Sequence, residues 1–249
     1  VNPFADDFAP IAPAPSENDG REGFSLVLER YYSRNDSHVV VPFGTTQILP
    51  EAFRGHGEIE TIELPETLES IGAAAFRECA GLREIVMPES VFEIGDRAFS
   101  GCSSLREIVL PRALMRIGRS VLSRCAALGS IRGGDEVYEV GESAFSGCAS
   151  LRDLPRFSRL ESVGAEAFAG CGSLKQVVLP QTVRSVGTEA FRSCLALAAA
   201  SIPESVENLG RNLFSGCVCL ETIEGADALV GRFPDAFPRS LSASRGYVR

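Results

Sequence analysis

The amino-acid sequence predicts a solenoid of stacked short coils, mostly β-strand with little helix, because three residue types recur with one period. Cysteine recurs every 23 residues, at Cys79, Cys102, Cys125, Cys148, Cys171, Cys194 and Cys217. Glycine keeps the same step, at Gly72, Gly95, Gly118, Gly141, Gly164, Gly187 and Gly210. Phenylalanine also keeps it, with Leu122 as the one exception, at Phe76, Phe99, Phe145, Phe168, Phe191 and Phe214. A fixed period of this length is typical of repeat architectures.

Each repeat divides into the same elements, which residues 82–104 illustrate. Ile85 and Met87 alternate with outward-facing residues, as expected for a half-buried strand. Pro88 ends the strand because proline has no N–H group to donate. Gly95 follows at a point where the chain either turns tightly or needs a positive φ angle. The rest of the inward-facing set is Val91, Ile94, Ala98, Phe99 and Cys102.

Seven complete copies of the repeat fill residues 59–219, and weaker copies precede and follow them. One repeat cannot bury its apolar residues alone, so neighbouring repeats must stack to make a continuous core. Stacked strands lie about 4.8 Å apart, which gives a stack roughly 35–40 Å long. We therefore expect one curved, right-handed coil of about eight 23-residue repeats.

The two ends of the chain differ from the repeats. Residues 1–22 are rich in Pro, Ala and acidic residues, which predicts an extended or disordered lead-in. Residues 23–58 are expected to form an N-terminal cap hairpin and the first degenerate repeat, with strands at 24–34 and 38–43. Residues 220–249 hold a last degenerate repeat and a C-terminal cap or tail, which should close the other end of the core.

The segment LREIVMPESVFEIGDRAFSGCSS at residues 82–104 closely resembles the BspA-like (treponemal-type) leucine-rich repeat, a family found mainly in bacteria. The resemblance extends over about residues 36–240, and the G-x-x-A-F-x-x-C part is its most specific feature. It implies a leucine-rich-repeat solenoid with little helix. It also implies an interaction role, in several cases adhesion to host proteins or other bacteria, and no catalytic residues.

Composition excludes several classes of function. A formal net charge of −9 argues against binding to nucleic acid, which needs a basic surface. No apolar run approaches the ~20 residues of a membrane-spanning helix. The sequence starts at Val1 without a leader, so a cleaved signal peptide and a trimmed N-terminus are both compatible with it. The resemblance favours export to the periplasm, the outer surface or the medium, with the leader absent from this sequence.

The cysteines and histidines predict neither a metal site nor an active site. Zinc sites need clustered ligands, whereas a 23-residue spacing places single thiols on successive coils. Stacking would bring these cysteines within disulfide range, but identical positions point the same way, so buried free thiols are expected. Cys219 lies outside the period. His38 and His56 are the two histidines, and no catalytic motif accompanies them, which predicts a protein without enzymatic activity or cofactor.

The strongest candidate for a binding site is a set of three large apolar residues, Phe92, Met115 and Tyr138, which we call the apolar stripe. They occupy equivalent positions on three successive repeats, where the other copies carry Glu69, Glu161, Arg184 and Glu207. Contiguous exposed apolar groups often mark interaction sites. Phe157 is expected to add a third aromatic anchor. Val86 and Val109 lie on an outward strand row, although sheet propensity alone would also explain valine there.

The sequence is compatible with several roles for this surface. A protein partner, from a host or from a bacterial surface, would contact the stripe through complementary shape, with charged rows for orientation. A lipid or other small apolar molecule would instead need a deep pocket beside Phe92 and Tyr138. The stripe could also be a locally covered satellite core. A weak homodimer could use the smooth surface at Leu195 and Ala198–Ala200, unless the C-terminal tail covers it.

Overall fold

The computed structural model describes residues 26–29 and 36–238, and this part of the chain winds as a parallel β-solenoid of about eight turns. Paired strands of successive repeats run parallel and lie 23 residues apart, as in the register Glu84↔Glu107 and Ile85↔Ile108. The predicted solenoid with little helix is confirmed. The lead-in at 1–22 and most of the predicted tail, residues 239–249, lie outside the described residues.

Two ladders of strands run along the solenoid. The long-strand ladder comprises β2 (His38–Val40), β4 (Thr61–Glu63), β6 (Glu84–Val86), β8 (Glu107–Leu110), β10 (Ser130–Gly133), β13 (Gln176–Val178), β15 (Ala199–Ser201) and β17 (Thr222–Glu224). The short-strand ladder comprises β1 (Leu26–Leu28), β3 (Thr45–Ile48), β5 (Ser70–Ile71), β7 (Glu93–Ile94), β9 (Arg116–Ile117), β11 (Glu139–Val140), β12 (Ser162–Val163), β14 (Ser185–Val186) and β16 (Asn208–Leu209). One helix, α1 (Ala226–Val230), follows β17 in the described part of the chain.

The core is a set of residue columns that run from coil to coil. The predicted inward residues are buried, with Ile85 4% exposed and Val91 fully covered. Phenylalanine rings stack along the axis: the rings of Phe53 and Phe76 have centroids 4.9 Å apart, and those of Phe145 and Phe168 lie 5.1 Å apart. This column makes the core continuous, so each coil depends on its neighbours for burial.

The cysteine column has a polar role besides filling space. Each thiol donates to the carbonyl oxygen of the residue 26 positions earlier, as from Cys102 Sγ to Phe76 O at 3.2 Å and from Cys148 Sγ to Leu122 O at 3.2 Å. All eight cysteines are free, and Cys79 through Cys194 in the column are buried, as expected. A small residue with a weak donor fits here because it can pair with a buried carbonyl without taking much space.

The periodic glycines allow close approach of the coils rather than a positive φ angle. Their φ angles are not positive, so the alternative that they supply a left-handed backbone conformation is wrong. A Cβ atom on Gly187 would lie 2.3 Å from the backbone nitrogen of Ala165 on the preceding coil. A Cβ atom on Gly95 would lie 2.4 Å from the nitrogen of Ala73. The backbone of one coil therefore rests directly on the glycine of the next.

The predicted N-terminal hairpin is wrong. β1 pairs in parallel with β3, and β2 pairs in parallel with β4, so the two strands enter different ladders. Each strand thereby pairs with a strand of the following coil instead of an adjacent antiparallel strand. The polar turn expected near residues 33–37 falls mainly outside the described residues. At the other end, Leu229 of α1 and Phe237 are buried, as a closing element requires.

Candidate binding surface

The three residues of the apolar stripe lie side by side on the solenoid surface. Phe92 is 53% exposed and Met115 is 57% exposed, while Tyr138 is half-buried. All three line one open groove of about 680 Å³, together with residues of β7 and β9. The position predicted from sequence is therefore an accessible surface that carries three large apolar side chains.

The short-strand ladder is split beneath this groove. β7 is the last strand of one sheet and β9 is the first strand of the next. In the neighbouring coils, Tyr138 N–H donates to Met115 O at 2.9 Å and Gly141 N–H donates to Ile117 O at 2.7 Å. Among the described residues, no such bonds join Met115 N–H to Phe92 or Gly118 N–H to Ile94. The strand edges on both sides of the split thus keep unpaired backbone groups.

The contacts of Gly118 and Gly141 show independently that the coils on the two sides of the split are further apart than the next pair of coils. A Cβ atom on Gly141 would approach backbone atoms of the preceding coil to 2.8 Å, whereas the nearest backbone oxygen to a Cβ on Gly118 is Ile94 O at 3.7 Å. The Asp96 carboxylate lies between the coils and accepts a hydrogen bond from Arg119 N–H at 2.9 Å. The two coils are therefore further apart at this point than at the next junction.

The coil of Met115 lacks a hydroxyl that several other coils use to contact the coil before them. Ser90 Oγ and Thr182 Oγ1 each donate to a carbonyl of the preceding coil at 2.6 Å. Ala113 occupies the equivalent position on the coil of Met115, lines the groove and has no side-chain donor. Glu136 and Arg159 at the same position also lack a hydroxyl, yet β11 pairs with both β9 and β12. The substitution alone therefore does not predict the split, which sequence reasoning missed.

Acidic side chains surround the stripe. Glu69 and Glu161 occupy the same row at its two ends, and both are exposed. Glu93 lines the groove and is exposed as well, and no described residue forms an ion pair with any of the three. The one arginine in the lining, Arg116, is 2.8 Å from the carboxylate of Glu139, so its charge is largely compensated. The groove and its surroundings therefore combine large apolar side chains with negative charge.

The other predicted site residues lie elsewhere. Val86 is 75% exposed and Val109 half-buried, both on the outer row of the long-strand ladder and outside the groove lining. Phe157 is buried, at 4% exposure, so its prediction as an exposed anchor is wrong. Its ring fills the space beside Gly134, where a Cβ atom would lie 3.0 Å from Phe157 Cε1.

A second groove accompanies Phe157 where the long-strand ladder is also interrupted. β10 ends one sheet and β13 begins another, and the described residues 151–160 between them form no strand. Pro155 stands at the strand position and cannot donate to a ladder. This groove has a volume of about 390 Å³ and is lined by Leu154, Pro155 and Leu179 among others. It carries less exposed aromatic surface than the groove under the stripe.

Burial suppresses the reactivity of the inner thiols of the cysteine column. Burial raises the pKa of the Cys125 thiol from 9.0 to about 12, and it does the same for Cys171. These thiols stay protonated at neutral pH and are poor nucleophiles and metal ligands. Within 26–29 and 36–238, no three His, Cys, Asp or Glu side chains cluster as a metal site would require. Cys219 is exposed and lies outside the column.

A parallel β-solenoid with a 23-residue period defines a repeat protein. The model of the BspA-type leucine-rich repeat region matches residues 29–152 and 150–237, in six copies. The chain belongs to this family. Within the described residues, no helix has the length and apolar character needed to cross a bilayer. No curated protein matches the sequence.

Solved structures with this fold come from several bacteria. A leucine-rich repeat protein from Bacteroides ovatus is 29% identical with a TM-score of 0.71, over 81% of this chain and 53% of the other. A leucine-rich cell surface protein from Faecalibacterium prausnitzii is 26% identical with a TM-score of 0.50, over 75% of this chain and 59% of the other. A leucine-rich repeat protein from Eubacterium ventriosum shares the fold at 20% identity and a TM-score of 0.53, over 78% of this chain and 47% of the other. The chain spans about half the length of these proteins.

Proposed function

We propose that the protein is a non-enzymatic recognition module that binds another protein through the apolar stripe and its groove, in a bacterial adhesion role at or beyond the cell surface. Proteins of this family generally mediate protein interactions and are generally not enzymes. The structural neighbour from Faecalibacterium prausnitzii is described as a cell surface protein, which supports the exported location. The observation that carries the proposal is the open groove lined by Phe92, Met115 and Tyr138.

The physical basis is a rigid surface with a few anchors. Aromatic and methionine side chains are enriched at the core of protein interfaces, where a few residues contribute most of the binding energy. Because the stripe is carried by stacked coils joined through a continuous core, little conformational entropy is lost on binding. The glutamates at its two ends, Glu69 and Glu161, would orient the partner and speed its approach. The open shape of the groove suits a protein surface better than a buried lipid.

Replacing Phe92 and Met115 together by serine is expected to weaken partner binding at least about tenfold, since exposed anchors of this type contribute more than ~1 kcal/mol each. Both side chains are more than half exposed, so the free energy of unfolding should change by no more than about 0.5 kcal/mol per site. A photo-crosslinking phenylalanine analogue placed at Met115 would first identify the partner on intact cells. Titration of that purified partner then gives the affinities.

The matched control is the double variant Val40→Ser and Val86→Ser, which removes two exposed valines from the outer row of the long-strand ladder. It should bind the partner like the unaltered protein. Equal weakening in both double variants would show that recognition is not located at the stripe. A crosslink that forms equally well from Val40 would contradict the proposal in the same way.

A further inference from the structure

Unpaired carboxylates gather at the Phe92 end of the apolar stripe. Glu93 and Asp96 line the same groove as Phe92, and Glu69 precedes Phe92 by one coil in the same row. All three carboxylates are exposed, and none of them forms an ion pair with a described residue. A surface that combines an aromatic ring with uncompensated negative charge matches a cation that also has a planar or apolar part.

The basic side chains near this end do not neutralise it. Arg116 lines the groove, but its guanidinium lies 2.8 Å from the carboxylate of Glu139. Arg97 is exposed and is not part of the groove lining. Arg184, the cation in the row of the stripe, lies towards the opposite end of that row. The groove near Phe92 therefore keeps a net negative charge.

Resting on the proposed function, we propose that the partner docks an exposed arginine side chain into the groove at Phe92. The guanidinium stacks on the Phe92 ring, and its N–H groups donate to the carboxylates of Glu93 and Asp96. The methylene part of the same arginine packs on Met115, as long cationic side chains do on apolar surface. The arginine lies along the open groove and does not enter the space between two coils. Lysine fits less well because its ammonium group is a compact, strongly hydrated charge without a planar face.

The test uses capped tetra-arginine and tetra-lysine peptides, each titrated into the full chain by calorimetry. The arginine peptide should bind at least about threefold more tightly than the lysine peptide, because the guanidinium stacks on a ring and the ammonium does not. Binding should weaken as salt is raised, because exposed charges are screened. A tetra-glutamate peptide should not bind. Equal affinity for the arginine and lysine peptides, or absence of any binding, would overturn the inference.

The substitution Phe92→Leu tests the stacking. It keeps an apolar side chain at a site that is 53% exposed and removes the aromatic ring. The affinity for the arginine peptide should fall to that for the lysine peptide. An undiminished preference for arginine in this variant would contradict the stacking on Phe92.

The double substitution Glu93→Gln with Asp96→Asn tests the carboxylates. It should weaken the arginine peptide at least about threefold, because two exposed ion pairs are lost. The introduced amide oxygen can still accept from Arg119 N–H, as the Asp96 carboxylate does. The matched control, Glu204→Gln with Glu221→Gln, removes the same charge at exposed sites at least three coils from the stripe and should leave the affinity unchanged. Equal weakening by the two double variants would show that the peptide follows net charge alone and would overturn the site.

The crosslinked partner separates this inference from the proposed function. Weaker partner binding on both Phe92→Ser with Met115→Ser and Glu93→Gln with Asp96→Asn would support both. Weaker binding on the first pair of substitutions alone would leave the protein interaction in place and overturn the arginine anchor. Unchanged binding in both double variants would overturn both proposals.

Discussion

Replacing Phe168 by alanine is expected to lower the free energy of unfolding by about 3–5 kcal/mol, the usual cost of emptying a buried phenylalanine site. Phe168 is fully buried and stacks between Phe145, at 5.1 Å, and Phe191, at 5.5 Å. The backbone of neighbouring coils is held at a fixed spacing, so the cavity cannot close easily. Denaturant unfolding followed by circular dichroism measures the change.

The matched control for this experiment is Phe92→Ala. The same chemical change at a site that is 53% exposed should cost no more than about 0.5 kcal/mol. Similar losses at both positions would contradict the stacked column of rings. Leu122 shows that the column tolerates a smaller apolar residue where the neighbouring coils have packed around it, since this side chain is fully buried as well.

Replacing Gly187 by alanine should destabilise the solenoid by at least about 1–3 kcal/mol, because an added methyl group overpacks the contact between two coils. Its Cβ atom would lie 2.3 Å from the nitrogen of Ala165 and 2.6 Å from the carbonyl carbon of Gly164. Both obstacles are backbone atoms of the preceding coil, so no flexible side chain can move aside. Thermal and denaturant unfolding would both report the loss.

Gly172→Ala is the control for the glycine experiment. The nearest atom to a Cβ there is Ala149 O at 3.9 Å, and the φ angle of Gly172 is not positive. This variant should be neutral, or more stable by about 0.4–1 kcal/mol through reduced freedom of the unfolded chain. If Gly187→Ala were as harmless as Gly172→Ala, the periodic glycines would not be explained by close approach of the coils.

Periodicity made the solenoid, its inward residues and its buried thiols predictable from sequence. A residue type that returns every 23 positions must occupy the same place in each coil, so Phe99 or Cys102 could be placed from the sequence alone. The apolar stripe was found in the same way, as a departure from the polar residues of the neighbouring copies. Repetition thus located both the core and the part of the surface that differs.

Features that depend on contacts between non-equivalent positions could not be read from the repeat. Phe157 stands at the position where Pro88 and Pro180 end the strand in other copies, so the repeat pattern does not assign it to the core. Its burial follows from the space beside Gly134 on the coil before it. The parallel pairing of β1 depends on the edge offered by β3. The split at β7 and β9 depends on small displacements of backbone, which a sequence pattern does not contain.

Amide hydrogen exchange at four residues tests most directly whether the ladder is open beneath the apolar stripe. In the described part of the chain, Met115 and Gly118 have no backbone acceptor across the split, whereas Tyr138 and Gly141 donate at 2.9 Å and 2.7 Å one coil further on. The amides of Met115 and Gly118 should therefore exchange much faster than those of Tyr138 and Gly141. Equal, strong protection of all four amides would contradict the split.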